Sequence, residues 1–265
     1  MTLPISVSNL RFGVRQVPMR LPFRFGAVTL TAAAQIHLFA DVETRNGHRA
    51  QGVAADMLAP KWFDKDPSKT YADNMNDLID SAKAACSAVE AVHEPASAFD
   101  LWKLGYDAAL AWGESRGLNE LTSAYGSTLL ERAIIDGLGR AEGLSYFDML
   151  RDNHLGIDLG TLHTQLTGVS PADLLPAKPR ATMQVRHTVG LLDPLREDSI
   201  EDAARINDGL PQGLDQYIAQ QGLTYFKVKV GGDVDVDVER LSQIAEVISG
   251  IDNVKVTLDG NEQYS

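Results

Sequence analysis

Residues 224–261 read TYFKVKVGGDVDVDVERLSQIAEVISGIDNVKVTLDGN. The spacing of the apolar residues predicts a strand over 224–230, a helix over 236–249 and a second strand over 254–259. A further strand is predicted over 182–188, with helical sequence between it and this segment. Strands that alternate with helices in this way are typical of a parallel sheet with right-handed crossover connections.

Each of the last two strands has a polar face, whereas a parallel strand that helices cover is usually apolar on both faces. The polar residues are Lys227, Lys229, Lys255, Thr257 and Asp259, with Asn261 just beyond. We expect the alternating apolar residues to pack beneath the helices: Phe226, Val228, Val230, Val254, Val256 and Leu258. The polar residues concentrate toward the carboxyl ends of the strands, where parallel α/β folds place their active sites. An exposed sheet edge with a solvated polar face is the alternative interpretation.

The chemistry of these residues suits an active site. Lys227 and Lys229 are close neighbours on one strand face, and each ammonium group disfavours the charge of the other. A lysine that has lost its proton can act as a general base. Asp259 on the adjacent strand offers a carboxylate oxygen, the ligand type that Mg²⁺ takes. This combination is what proton abstraction next to a carboxylate requires, because the developing enediolate needs concentrated positive charge.

The first sixty residues predict an antiparallel sheet. Residues 36–42 alternate between apolar and polar side chains, and Asn46-Gly47 is a strong signal for a hairpin turn. Residues 22–26 interrupt two strand-like segments and predict a loop. Helical periodicity follows, and Cys86 lies on the apolar stripe of the first long helix. That position favours a core residue over a nucleophile.

The predicted organisation of the chain has three parts. Residues 1–152 form an α+β domain, residues 153–180 form a crossing segment rich in glycine and proline, and residues 181–265 contain three β/α units.

The composition excludes several classes of protein. Lysine and arginine number 24 and aspartate and glutamate 36, so the formal net charge is −12, which argues against a nucleic-acid partner. No apolar run approaches the roughly 18 residues that a membrane span needs, and the first residues lack the pattern of a secretory signal. A single cysteine excludes an internal disulfide. We therefore expect a cytoplasmic globular protein with no membrane partner.

Together these features resemble the enolase superfamily, in its mandelate racemase and muconate lactonizing branches. The resemblance rests on Lys-x-Lys at 227–229, on Asp-x-Asn at 259–261 one β/α unit later, and on the helix end at 136–143. The N-terminal sheet with its helices is similar to the family's capping domain. The resemblance implies an α/β fold with an α+β cap: an N-terminal antiparallel sheet plus helices cap a modified TIM-type (β/α) barrel, which is partial in this chain.

The resemblance also implies roles for individual residues. Lys229 would be the base on one face of the substrate, and Lys227 would tune it and contact the substrate carboxylate. Asp259 would be the first Mg²⁺ ligand, with Mg²⁺ as the cofactor. The implied partners are a small carboxylate substrate and further copies of the chain in a homo-oligomer.

Four residues are candidates for substrate binding. The resemblance implies this role for the loop residues Arg24 and Phe25, and for Asn261 it implies a polar contact to the metal site or the substrate. His187 is a candidate from its position near the carboxyl end of the first parallel strand, with a structural or solvated role as the alternative.

The implied activity is Mg²⁺-dependent abstraction of a proton α to a carboxylate, with stabilisation of the enediolate. The enzyme would be an isomerase or a lyase, of the racemase, epimerase, cycloisomerase or acid dehydratase type. A complete barrel of this kind has eight β/α units in about 250 residues. We therefore expect the biological chain to be longer, and the 265 residues alone to be inactive. The alternative is a non-catalytic α/β scaffold or binding protein built on a truncated barrel.

Overall fold

A computed structural model describes residues 2–25 and 28–264, with the side chains of Phe25 and Val28 outside the description. The chain divides into two compact units. The N-terminal unit contains the described residues up to Val17 and those from Ala33 to Pro179. The C-terminal unit contains the rest, so it combines the described residues between Pro18 and Ala32 with the chain from Arg180 onward.

A three-stranded sheet opens the chain, with strands β1 (Ile5–Phe25), β2 (Val28–Thr44) and β3 (Arg49–Leu58) in that order. Strands β2 and β3 are antiparallel and pair from Ala34 with Leu58 to Glu43 with Arg49. The turn between them contains Gly47 at φ +83°, which confirms the predicted hairpin.

The predicted alternation in β2 is also confirmed. Its inward side chains have at most 1 % exposure: Ile36, Leu38, Ala40 and Val42. The loop predicted over residues 22–26 is wrong as far as Phe25, because β1 continues to that residue. β1 lies at the edge of the sheet, where a proline such as Pro22 does not interrupt a ladder on both sides. Gly26 lies outside the described residues.

Helices form the rest of the N-terminal unit: α1 (Pro60–Phe63), α2 (Tyr71–Glu90), α3 (Ala98–Glu114), α4 (Glu120–Glu142), α5 (Tyr146–Arg151), α6 (Leu159–Leu162) and α7 (Pro171–Leu174). Local sequence determines where the long helices begin and end. The side chains of Thr70, Ser97 and Asn119 accept hydrogen bonds from the first turns of α2, α3 and α4. Gly143 ends α4 in the left-handed conformation. The short helices α6 and α7 lie within residues 153–180, the predicted crossing segment.

Close contacts between α2 and α4 depend on small residues. The Ser81 hydroxyl donates to the carbonyl oxygen of Ser123 and accepts from the amide of Gly126, so a polar group is satisfied inside the core. A Cβ atom at Gly126 would lie 2.2 Å from the backbone of Ala82. Cys86 on α2 is 3 % exposed, and burial raises the pKa of its thiol to about 12. The prediction that it is a core residue is confirmed.

The C-terminal unit contains a parallel sheet built from β4 (Arg186–Val189), α8 (Leu214–Gln221), β5 (Tyr225–Lys229), α9 (Val234–Ile248) and β6 (Lys255–Asp259). The strands lie in the order β4-β5-β6, and both pairs are parallel, which confirms the predicted topology. Residues from β4, β5, α8, α9 and the connections between them form its core: Val189, Leu195, Leu214, Leu223, Phe226, Val228, Ile244 and Ile248.

The apolar faces of β5 and β6 differ in burial. Phe226 and Val228 are at most 1 % exposed, as predicted. The prediction that β6 packs in the same way is wrong for Val256 and Leu258, which are 43 % and 58 % exposed. β6 is an edge strand among the described residues. Ile244 and Ile248 of α9 belong to the core that contains Phe226 and Val228 of β5, and Val256 and Leu258 are not part of that core.

None of the helices in the described part of the chain is long and apolar enough to cross a membrane.

Candidate active site

The register of β5 and β6 places the polar residues of both strands on one face of the sheet. Lys227 lies opposite Thr257, and Lys229 lies opposite Asp259. Partners in a parallel ladder project their side chains to the same face, and successive residues of a strand alternate between faces. Phe226 and Val228 fill the apolar core on the opposite face. The two lysines and the carboxylate therefore lie together on the face away from the helices, at the carboxyl end of the strands.

Both lysines contact the same oxygen atom. The Nζ atoms of Lys227 and Lys229 each lie 2.8 Å from Oδ2 of Asp259. The hydrogen bonds from Lys227 and then Lys229 hold the pKa of the Asp259 carboxyl far below its usual range. The carboxylate is therefore ionised throughout the physiological pH range. With two ammonium groups and one carboxylate, this cluster carries a net positive charge.

Burial distinguishes the two lysines. The Lys229 side chain is 1 % exposed, whereas that of Lys227 is 21 % exposed. The Lys229 ammonium group also donates to Oδ1 of Asn261 at 2.6 Å. Asn261 has φ +48° in the turn that follows β6, and its backbone amide donates to Oδ1 of Asp259. The structure thus brings together Lys227, Lys229, Asp259 and Asn261.

The arm, defined as residues 18–25 and 28–32, approaches the loop after β4 inside the same unit. The carbonyl oxygen of Arg24 accepts a hydrogen bond from the amide of Leu191, and a Cβ atom at Gly190 would lie 3.2 Å from the Phe23 ring. The loop after β4 lies at the carboxyl end of the sheet, which is also the end that holds Asp259. The Arg24 side chain is exposed, and the Phe25 side chain lies outside the description.

Arg20 fixes the base of the arm. Its guanidinium group donates to both carboxylate oxygens of Asp208, at 2.7 and 2.8 Å, and to the carbonyl oxygens of Leu210 and Pro211. Bidentate pairs of this kind are geometrically specific. The sequence alone does not reveal this contact, since the two charged residues are separated by 188 positions and neither belongs to a motif.

His187 lies on the other face of the sheet. It pairs with Phe226 in the ladder, and its ring lies 4.9 Å from the ring of Tyr217 on α8. Burial lowers the pKa of this imidazole. The structure therefore does not bring His187 to the lysine pair, and its packing against α8 agrees with the alternative of a structural role.

The described residues supply one acidic side chain to a metal at this site. Within the described ranges, no group of three or more histidine, cysteine or acidic residues could enclose a metal ion. Asp259 has the hard carboxylate oxygens that Mg²⁺ prefers, but its Oδ2 atom is engaged by both lysines. The residues described here thus fit one corner of a magnesium site, and the remaining ligands would have to come from elsewhere.

Solved structures share this architecture over nearly the whole chain. A mandelate racemase/muconate lactonizing protein from Herpetosiphon aurantiacus matches with a TM-score of 0.52 and 19% identity, over 99% of this chain and 55% of that one. A protein from Roseovarius nubinhibens ISM described as a mandelate racemase/muconate lactonizing enzyme matches with a TM-score of 0.57 and 14% identity, over 98% of this chain and 54% of that one. The chain has the enolase-superfamily fold. An enolase from Bradyrhizobium, complexed with magnesium and mandelic acid, matches with a TM-score of 0.57 and 14% identity, over 99% of this chain and 56% of that one.

The enolase-superfamily fold accounts for both units of the chain. The antiparallel sheet and helices match the N-terminal capping domain, and the three parallel strands agree with a partial barrel. The chain spans about half the length of these solved structures and covers 55%, 54% and 56% of their chains. No protein-family model matches the sequence, and a comparison with curated proteins found no significant match.

Proposed function

We propose that this chain carries part of the active site of an Mg²⁺-dependent enzyme that removes the proton α to a carboxylate. The reaction would belong to the racemase, epimerase, cycloisomerase or acid dehydratase type, so the enzyme would be an isomerase or a lyase. The observation that carries the proposal is the contact of Lys227 and Lys229 with one oxygen of Asp259, at the carboxyl end of a parallel sheet.

Lys229 is the general base in this proposal. Its Nζ atom, once unprotonated, accepts the proton from the α-carbon and leaves the electron pair in the enediolate. Burial at 1 % exposure and contacts with Asp259 and Asn261 fix the position of this atom. A base whose position is fixed loses little entropy in reaching the transition state. Lys227, which is more exposed, places its ammonium group beside the substrate carboxylate and offsets the charge that develops there.

Asp259 is one ligand of the metal in this proposal. When bound, Mg²⁺ would supply positive charge next to the carboxylate and so favour formation of the enediolate. The Bradyrhizobium enolase, whose solved structure contains magnesium and mandelic acid, supports a hard cation and a small carboxylate ligand in this fold. The small carboxylate substrate and self-association into a homo-oligomer belong to the same proposal.

Arg24 and Phe25 contribute to substrate selection in this proposal. The backbone contact between Arg24 and Leu191 supports a position for the arm beside the loop after β4. The exposed guanidinium group of Arg24 can bind an anionic or polar part of the substrate. Asn261 contributes indirectly, since its amide oxygen accepts from the base itself.

The proposal is tested with the protein in its full native length. It is incubated in deuterium oxide with Mg²⁺ and a panel of small carboxylates, and deuterium at the α-carbon is measured by proton NMR. We expect Mg²⁺-dependent exchange with at least one member of the panel, and weaker Mg²⁺ binding by Asp259→Asn in titration calorimetry. No exchange with any carboxylate, together with unchanged Mg²⁺ binding by the variant, would contradict the proposal and favour the non-catalytic scaffold.

A further inference from the structure

The turns that follow β5 and β6 are joined by one buried carboxylate. Asp237 lies in the first turn of α9 and is 4 % exposed. Its Oδ1 and Oδ2 atoms accept hydrogen bonds from the backbone amides of Gly231 and Gly232, over distances between 2.8 and 3.0 Å. Its Oδ2 atom also accepts a hydrogen bond from the hydroxyl group of Tyr264. One side chain therefore holds backbone from the β5 turn and a side chain from the β6 turn.

Helix capping does not account for Asp237. The N-terminus of α9 already has a cap, because the Asp233 side chain accepts from the amides of Asp235 and Val236. The hydrogen bonds of Asp237 lead away from the helix, back to the two glycines that follow the Lys229 strand. A carboxylate that is buried and accepts several hydrogen bonds is stable only while those donors stay in place.

The two turns are also in direct steric contact. Gly232 has φ +94°, and a Cβ atom there would lie 2.7 Å from the carbonyl oxygen of Gln263. The backbone amide of Val230 donates to the carbonyl oxygen of Asp259, which extends the ladder as far as the turns. The Asp237 carboxylate is therefore linked to the lysine cluster through the backbone of residues 229–232, which is hydrogen-bonded to Asp237 at one end and to Asp259 at the other.

The β6 turn needs such support because it is strained. Asn261 and Glu262 have φ values of +48° and +62°, a region that side chains other than glycine disfavour. Two adjacent residues in this region persist only where the surroundings hold them. Asn261 in this turn is the residue whose Oδ1 atom contacts the ammonium group of Lys229.

We propose that Asp237 and Tyr264 are positioning residues, which hold the turns after β5 and β6 so that Asn261 and Asp259 stay against the Lys229 ammonium group. This inference rests on the proposed function only in treating Lys229 as the general base. The positioning itself concerns contacts that the chain makes without substrate. The hydrogen bonds of Asp237 go to the amides of Gly231 and Gly232 and to the Tyr264 hydroxyl, so the positioning acts through the two turns.

The test uses two variants and hydrogen–deuterium exchange. Tyr264→Phe removes one hydroxyl group from a side chain that is 49 % exposed, so it leaves the fold intact. Asp237→Asn keeps the volume and removes the charge. We expect backbone amide exchange at residues 260–264 to rise about fivefold in Tyr264→Phe, the ratio that loss of one hydrogen bond implies. The rise should be larger in Asp237→Asn and should extend to residues 231–232.

A second readout separates positioning from general loosening of the fold. Reductive methylation followed by mass spectrometry reports the exposure of Lys229, and exposed Lys255 on the neighbouring strand is the internal control. We expect faster methylation of Lys229 in both variants, unchanged methylation of Lys255, and unchanged amide exchange in α2 and α4. Wild-type exchange at 260–264 with wild-type methylation of Lys229 would overturn the proposal, as would an equal rise in exchange throughout the chain.

These readouts need no turnover. If no carboxylate undergoes exchange at its α-carbon but the variants loosen the two turns, the proposed function fails and the positioning role stands. If exchange of substrate protons occurs, both variants should lower kcat and leave KM within about twofold, because positioning of the base acts on the chemical step.

Discussion

The Nζ atom of Lys229 lies 2.8 Å from Oδ2 of Asp259, although 30 positions separate the two residues in the chain. The lysine side chain is 1 % exposed and that of the aspartate 27 %. A buried ammonium group is costly unless a counter-charge accompanies it, so the carboxylate has a structural as well as a chemical role. Lys227, whose side chain is 21 % exposed, contacts the same oxygen.

Asp259→Asn should destabilise the C-terminal unit by about 3 kcal/mol, because the Lys229 ammonium group is then buried without a charged partner. Lys227→Gln is the matched control. It removes the more exposed lysine and leaves the Lys229 pair intact, so it should cost about 1 kcal/mol or less. The free energy of unfolding in urea measures both. Equal costs for the two variants would contradict the assignment of Lys229 as the buried partner.

The Arg20–Asp208 pair should give the arm an acid-sensitive attachment. The hydrogen bond and charge of Arg20 lower the pKa of Asp208 to about 2, below the ordinary value of about 3.9. Because the pKa is lower in the folded state, the stabilisation is fully present above about pH 4 and is lost as the pH falls through about 2. Asp208→Asn should therefore lower stability at neutral pH, and its difference from wild type should shrink in acid.

Urea unfolding at a series of pH values measures this difference. Asp202→Asn is the control, since Asp202 lies in the same connection between β4 and α8 with a fully exposed side chain. A difference for Asp208→Asn that stays constant down to about pH 2 would show that the ion pair does not hold the arm.

Gly126→Ala should be among the most disruptive single-methyl changes in the N-terminal unit. Its Cβ atom would lie 2.2 Å from backbone atoms of Ala82, which cannot move without displacing α2. We expect a loss of about 3 kcal/mol or more in the free energy of unfolding. Gly250→Ala has open space within 4 Å and should change stability by about 0.5 kcal/mol or less. Similar values for the two variants would contradict the close packing of α2 on α4.

The proximity of Lys227 and Lys229 to Asp259 can be predicted from the sequence by two rules of β-sheet geometry. Alternation in a strand places Lys227 and Lys229 on one face, and parallel pairing of successive β/α units places the next strand end beside them. No other information was needed to expect these three residues together. The same rules give the apolar core beneath β5, where Phe226 and Val228 are buried.

The remaining features depend on contacts that no local rule supplies. The face on which His187 lies follows from its pairing with Phe226, and the strand predicted over 182–188 begins at Arg186 in the structure. The Arg20–Asp208 pair joins two segments through tertiary packing alone. Strand alternation predicts that Val256 and Leu258 share one face of β6, but it does not predict which elements cover that face, and both residues are exposed.

The most direct test of Lys229 as the general base is α-carbon deuterium exchange by the full-length protein carrying Lys229→Ala. Lys255→Ala is the matched control, because Lys255 lies on the same sheet face and is exposed, 5.4 Å from the Tyr225 ring. We expect Lys229→Ala to lower exchange with a reactive carboxylate by about a thousandfold and Lys255→Ala to keep it within about twofold. Undiminished exchange by Lys229→Ala would show that another group takes the proton and would contradict the assignment of Lys229 as the base.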